Sequence, residues 1–98
     1  MLFVVQGLDG KDSEAPARRT ATRPAHLEYG KPLVEAGRFK YGGALLDSEG
    51  NMIGSMMVVD YPSEEALRTE FLAGEPYVVN GVWETITIYP FNLAPHFG

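Results

Sequence analysis

The stretch from Met52 to Asp60, Met-Ile-Gly-Ser-Met-Met-Val-Val-Asp, constrains the fold more than any other part of the chain. It is short and apolar, and turn-forming residues bound it at 47–51 and 61–63, so it reads as a β-strand. Successive strand side chains point to opposite sides. Met52, Met56 and Val58 therefore point one way, and Ile53, Met57 and Val59 the other. Both sets are apolar, which predicts a sheet buried on both faces. A chain of 98 residues can cover one face with its own helices. The simplest cover for the other is a second copy, packed sheet on sheet in a symmetric dimer. Three methionines in this strand suit an adaptable packed surface.

The remaining elements fall around this strand. Residues 2–8 form a first strand ending at Asp9-Gly10. Ser13 is placed to cap a helix over residues 17–36, with Pro16 tolerated in its first turn. Pro24 lies inside that helix, where proline normally costs about 3 kcal/mol. Either the helix bends there, or a turn precedes a new helix capped by Thr22. The stripe Leu27, Lys31 and Val34 continues past the proline and favours one bent helix ending at Gly37. Residues 38–47 make a second strand. Ser63 caps a second helix that buries Ala66, Leu67 and Phe71 and stops at Gly74. Residues 75–80 are a loop or one extra turn. Residues 82–89 make the last strand, closed by Pro90, and 92–98 are a tail. The order β-α-β-β-α-β is the split arrangement of ferredoxin-like folds, in the α+β class. It predicts one domain over residues 1–98, with both helices on one face of a four-stranded antiparallel sheet.

Composition removes several classes of function. There is no cysteine, which excludes a disulfide framework, thiolate zinc sites and a cysteine nucleophile and fits a cytoplasmic protein. The first seven residues are too short and uncharged for a signal peptide, and no apolar run approaches the roughly 20 residues needed to cross a bilayer. The net charge is −5 and the eight basic residues are scattered, which argues against nucleic acid as a partner. No phosphate loop, dinucleotide fingerprint or metal-ligand motif is present, so neither a cofactor nor a metal is expected. His96 has no spacing relation to His26 that would make a metal pair.

The chemistry-bearing residues cluster at one place. Arg19, Arg23 and His26 are offset by four and then seven, which puts them on one helix face. A cationic face with a titratable imidazole suits holding an anion and moving a proton. The same pattern also describes an ordinary surface histidine beside arginines paired with Glu28 or another acid. Glu75 precedes Pro76 and Tyr77, and the stiff proline would place its carboxylate reproducibly. It can orient and charge an imidazole, or simply end a helix. Gly54 within a strand marks close approach of a ligand or of another backbone, and Ser55 could donate a hydrogen bond into a cavity. Ser55 lacks a Gly-x-Ser-x-Gly context and is not read as a nucleophile. Gly42-Gly43 makes room for a ligand or permits a bulge. Trp83 and Tyr89 share a strand face and read as packing residues.

As a set, these residues are familiar. Ala21-Thr22-Arg23-Pro24-Ala25-His26-Leu27-Glu28-Tyr29, then Gly42-Gly43-Ala44-Leu45-Leu46, Gly54-Ser55, Glu75-Pro76-Tyr77 and Gly81-Val82 follow one another in order. Together they resemble the YciI-like (YCII-related) family over nearly the whole chain. The resemblance implies a ferredoxin-like subunit that dimerises as an α+β barrel, with a cleft between sheet and helices. It implies a site around a histidine and an acid, here His26 and Glu75. Two departures stand out. The family usually has Asp-Pro-Tyr where this chain has Glu75-Pro76-Tyr77, and Gly-Pro where it has Gly42-Gly43. The expectation is a lyase or isomerase acting on a small anionic compound, with His26 shuttling a proton and Glu75 orienting it. Arg19 and Arg23 would hold the anion, and Ser55, Tyr77 and Gly42 would complete the wall. The alternatives are a non-catalytic dimeric module that binds a metabolite or protein, and a structural dimer with a collapsed cleft.

Overall fold

The computed structural model describes residues 1–97. Four antiparallel strands, β1 (Leu2–Asp9), β2 (Phe39–Leu46), β3 (Met52–Asp60) and β4 (Trp83–Phe91), form one sheet in the order β2-β3-β1-β4. Helix α1 (Ala15–Glu35) joins β1 to β2. Between β3 and β4, α2 (Glu64–Ala66) passes into a π turn (Leu67–Phe71) and a 3-10 turn (Leu72–Gly74), and α3 (Pro76–Val79) follows. This is the expected ferredoxin-like α+β architecture.

Helix α1 starts earlier than its sequence predicts, and Asp12 rather than Ser13 starts it. The Asp12 carboxylate accepts the Glu14 N–H and its carbonyl accepts the Ala15 N–H. The helix then runs unbroken through Pro24 and Pro32. Each proline deprives the carbonyl four residues earlier of its partner. Those carbonyls belong to Thr20 and Glu28, and all four residues are exposed, so water can serve the orphaned groups. The end is as expected. Gly37 takes φ +75°, its N–H bonds to the Val34 carbonyl, and the Arg38 N–H bonds to the Leu33 carbonyl. Ser63 caps α2 by accepting the Ala66 N–H at 3.0 Å.

The helices cover one face of the sheet. Phe3, Val5, Met57 and Val59 point into that layer and pack with Leu67, Phe71, Tyr61 and Tyr77. The other face is open. Met56, Tyr41 and Tyr89 lie on it and are 39%, 70% and 54% exposed. The register shifts between Leu45 and Leu46, leaving Ile53 unpaired as an extra residue in β3. The strict alternation read for this strand therefore holds only from Gly54 onward.

Two expectations for β4 are corrected. The strand does not close at Pro90 but continues to Phe91. It is an edge strand bonded only to β1, and an edge tolerates a residue without a donor. Nor do Trp83 and Tyr89 share a face. The register between β1 and β4 shifts at Leu8/Asp9, so Glu84 is an extra residue. The bulge turns Trp83 to the helix side, where it is buried. Gly7 makes this possible, because a β-carbon there would sit 2.4 Å from the indole ring. Among the described residues no helix is long and apolar enough to cross a membrane.

Candidate functional site

Glu75 is placed by the irregular helix before it. The Tyr29 hydroxyl of α1 donates to the Phe71 carbonyl at 2.7 Å, which serves one backbone group of the π turn. The chain then extends at Glu75 (φ −69°, ψ 123°), and Pro76 opens α3. Glu75 caps that helix, with Oε2 accepting the Tyr77 N–H at 2.8 Å. Its other oxygen, Oε1, pairs with His26 Nδ1. The carboxylate is 1% exposed, so both contacts are made away from water.

These contacts fix the imidazole. An ionised carboxylate only accepts hydrogen bonds, so Nδ1 carries the proton and Nε2 keeps its lone pair in the neutral ring. The ring stacks on Tyr77 with centroids 4.0 Å apart and planes within 10°. The Trp83 indole meets it edge-on at 6.2 Å. His26 thus has one defined orientation, and its side chain is only 16% exposed.

Arg19 is not the open clamp that its spacing implied. Its Nη1 donates to both oxygens of Asp9, at 2.8 and 3.0 Å, and its Nη2 donates to Ser55 Oγ at 2.8 Å. The guanidinium lies over the Tyr77 ring at 4.8 Å. Arg19 and Asp9 are both buried. Trp83 Nε1–H also donates to Ser55 Oγ, at 3.3 Å. One turn along α1, Arg23 is exposed and enters no salt bridge among the described residues. Glu28, a candidate partner for the arginines, lies beside Lys31 instead.

A cleft of about 310 Å³ opens between α1 and the β2–β3 half of the sheet. Arg19, Arg23, His26, Gly42, Ser55 and Tyr77 all line it, so every site residue expected from the sequence except Glu75 borders the same hollow. Glu75 does not border it but pairs with His26, which does. Burial pushes the Tyr77 phenol above the ordinary tyrosine value, while Arg19 and Arg23 pull the other way. The phenol is therefore neutral near pH 7. Gly42 is bare because Phe39 fills its place, with a β-carbon there falling 2.5 Å from that ring. Gly54 admits backbone rather than ligand, since its β-carbon would lie 2.5 Å from the Gly7 carbonyl oxygen. Sequence reasoning missed Asp9, read as a turn residue, and the polar role of Trp83. Among the described residues no cluster of three His, Cys, Asp or Glu side chains could hold a metal ion.

A family model of the YCII-related domain matches residues 1–92. The chain belongs to the YCII-related family. It is 31% identical over 98 residues to Protein YciI of Escherichia coli O6:H1 (strain CFT073), covering 94% of this chain and 97% of that protein. It is 40% identical over 70 residues to the derivative of benzaldehyde biosynthesis cluster protein C of Emericella nidulans, covering 64% of this chain and 70% of that protein. Among solved structures it resembles the 5-chloro-2-hydroxyhydroquinone dehydrochlorinase of Burkholderia phenoliruptrix AC1100 in complex with 2,5-dihydroxybenzoquinone. That match has a TM-score of 0.83 at 22% identity and covers 98% of both chains. It shows the shared fold. In this YCII-related protein the acid is glutamate, and its longer arm reaches His26 Nδ1 and the Tyr77 N–H together.

Proposed function

We propose that this YCII-related protein is a small-molecule enzyme of lyase or isomerase type that moves a proton on a small anionic ring compound. The observation that carries this reading is the His26–Glu75 pair, buried on its acidic side and set beside the unpaired Arg23 at one cleft. Neutral His26 accepts a proton at Nε2 from the substrate, and the Glu75 carboxylate stabilises the imidazolium that forms. The electron pair left behind forms a new double bond. It expels an anion in an elimination, or it shifts so that His26 returns the proton to another atom in an isomerisation. Arg23 offsets the substrate's negative charge. A volume of about 310 Å³ is at the small end for ligand pockets and suits a single ring. The structural relative that acts on a chlorinated hydroxyhydroquinone and the relative from a benzaldehyde derivative cluster support an aromatic or quinonoid substrate.

The test is turnover of chlorinated hydroquinones and hydroxyquinones by wild type and His26→Ala. The expected result is a fall in kcat of about 10²–10⁴ in the variant, with ligand binding retained. Equal binding by both proteins with turnover by neither would instead make this a binding module.

The open sheet face supports a second copy as partner. Tyr41 on β2, Met56 on β3 and Tyr89 on β4 leave large apolar side chains exposed on that face. Light scattering is expected to give twice the chain mass for wild type, and the mass of one chain for Tyr41→Glu/Met56→Lys. A monomeric wild type at tens of micromolar would remove the dimer.

A further inference from the structure

Ser55 has its hydrogen-bonding state fixed by its neighbours. A serine hydroxyl offers one donor and two acceptor positions. Ser55 Oγ receives Arg19 Nη2–H at 2.8 Å and Trp83 Nε1–H at 3.3 Å. A guanidinium and an indole N–H can only donate. Both acceptor positions are therefore filled, and the hydroxyl has only its proton left to offer. No protein acceptor takes that proton among the described residues, and Ser55, 3% exposed, lines the cleft.

The surroundings hold it in that state. Asp9 grips Arg19 through both carboxylate oxygens, so the guanidinium cannot swing away. Among the N–H groups that Arg19 has left, Nε–H is buried and has no partner. The Glu84 bulge and the bare Gly7 bring the indole within reach of Ser55. The nearby carboxylates are both committed, Asp9 to Arg19 and Glu75 to His26 and the Tyr77 N–H. Arg23 and Lys31 add positive charge at the cleft. A ligand oxygen at Ser55 therefore meets donors and no free carboxylate.

From this geometry we infer that Ser55 is an obligate donor in an oxyanion subsite, and that the cleft takes its ring compound with an ionised oxygen, a phenolate or enolate, on Ser55. The inference deepens the reading of the cleft as a small-molecule site and rests on it. Ser55 is the specificity-determining contact, with Arg23 supplying charge. Asp9 acts through Arg19 as a positioning residue. A neutral phenol at this place would find no free carboxylate to take its proton, and a ring amine would set donor against donor.

The probe is 4-nitrophenol, whose phenolate absorbs visible light where the phenol does not, with 4-nitroaniline as control. At a pH below the probe's own pKa, wild type is expected to bind it as phenolate, lowering its apparent pKa by about one unit. Ser55→Ala should weaken phenolate binding about tenfold and return the probe's pKa toward its free value, and Ser55→Thr should restore both. Asp9→Asn should lose part of the shift. The aniline should bind wild type no better than Ser55→Ala. Circular dichroism and urea midpoints confirm that each variant is folded. Uptake of the neutral phenol, failure of wild type to bind the probe, or identical spectra and affinities for wild type and a folded Ser55→Ala would each overturn the assignment. His26→Ala keeps the phenolate shift and loses turnover, so this inference and the proton-transfer reading fail separately.

Discussion

Glu75→Ala is expected to lose about 2–4 kcal/mol of stability, read from urea unfolding, and to lose activity with it. Removing a helix cap costs about 1 kcal/mol. Removing the acceptor of buried hydrogen bonds strands their donors at about 1–3 kcal/mol. Glu75 does both jobs, since Oε2 caps α3 and Oε1 holds His26, with the carboxylate out of water. Glu75→Gln separates the two. Its single amide oxygen can cap α3 or accept from His26, but not both. The fold should hold with a smaller loss, while kcat falls by at least about 10², because an amide cannot stabilise an imidazolium as a carboxylate does. Glu75→Asp is the sharper variant, because aspartate is the residue that the family resemblance implies. One methylene shorter, it reaches one of the two partners unless α3 shifts. A Glu75→Gln protein with full kcat would show that the carboxylate only caps a helix.

The sequence made the frame legible wherever one local rule decided the outcome. Period-two alternation put Met57 and Val59 on one face of β3, and the structure makes that face the core side. Ser63 and Gly37 were readable because a cap and a left-handed residue need particular side chains. The parts that were not readable depend on slips of one residue or on partners far along the chain. Glu84 is an unmarked extra residue, and without it Trp83 would face the open side. The interruptions at Pro24 and Pro32 are harmless only because those turns face water, which needs the tertiary structure to see.

The candidate site divides in the same way. Arg19, Arg23 and His26 were legible as one face of a helix. That Arg19 is buried and Arg23 free was not, because the two differ by about 40° around the helix axis, and that small rotation decides which one reaches Asp9 on β1. The pairing of His26 with Glu75 spans 49 positions, and no spacing rule reaches that far. Pro76 marked the acid as well placed. The family resemblance supplied its partner.

Asp9→Ala is expected to be among the most damaging single changes in the chain, at about 3–5 kcal/mol in urea unfolding. It leaves the Arg19 guanidinium buried with no counter-charge, and the neighbours it still touches, Ser55 and the Tyr77 ring, carry none at neutral pH. The cost comes from the stranded cation more than from the lost attraction. Two buried ions each give up hydration on folding, and their mutual attraction roughly repays it. Asp9→Leu combined with Arg19→Met removes both charges at similar volume and should therefore recover most of the loss. The double-mutant cycle then gives a coupling energy of several kcal/mol. The recovered protein would lack the donor that Arg19 supplies to Ser55, leaving the serine free to rotate and accept. It should be stable and yet bind phenolate poorly, which separates what the pair does for the fold from what it does for the cleft. If Asp9→Ala costs less than about 1 kcal/mol, the guanidinium must reach water once released. The pair would then lock nothing, and the fixed hydroxyl at Ser55 would lose its cause.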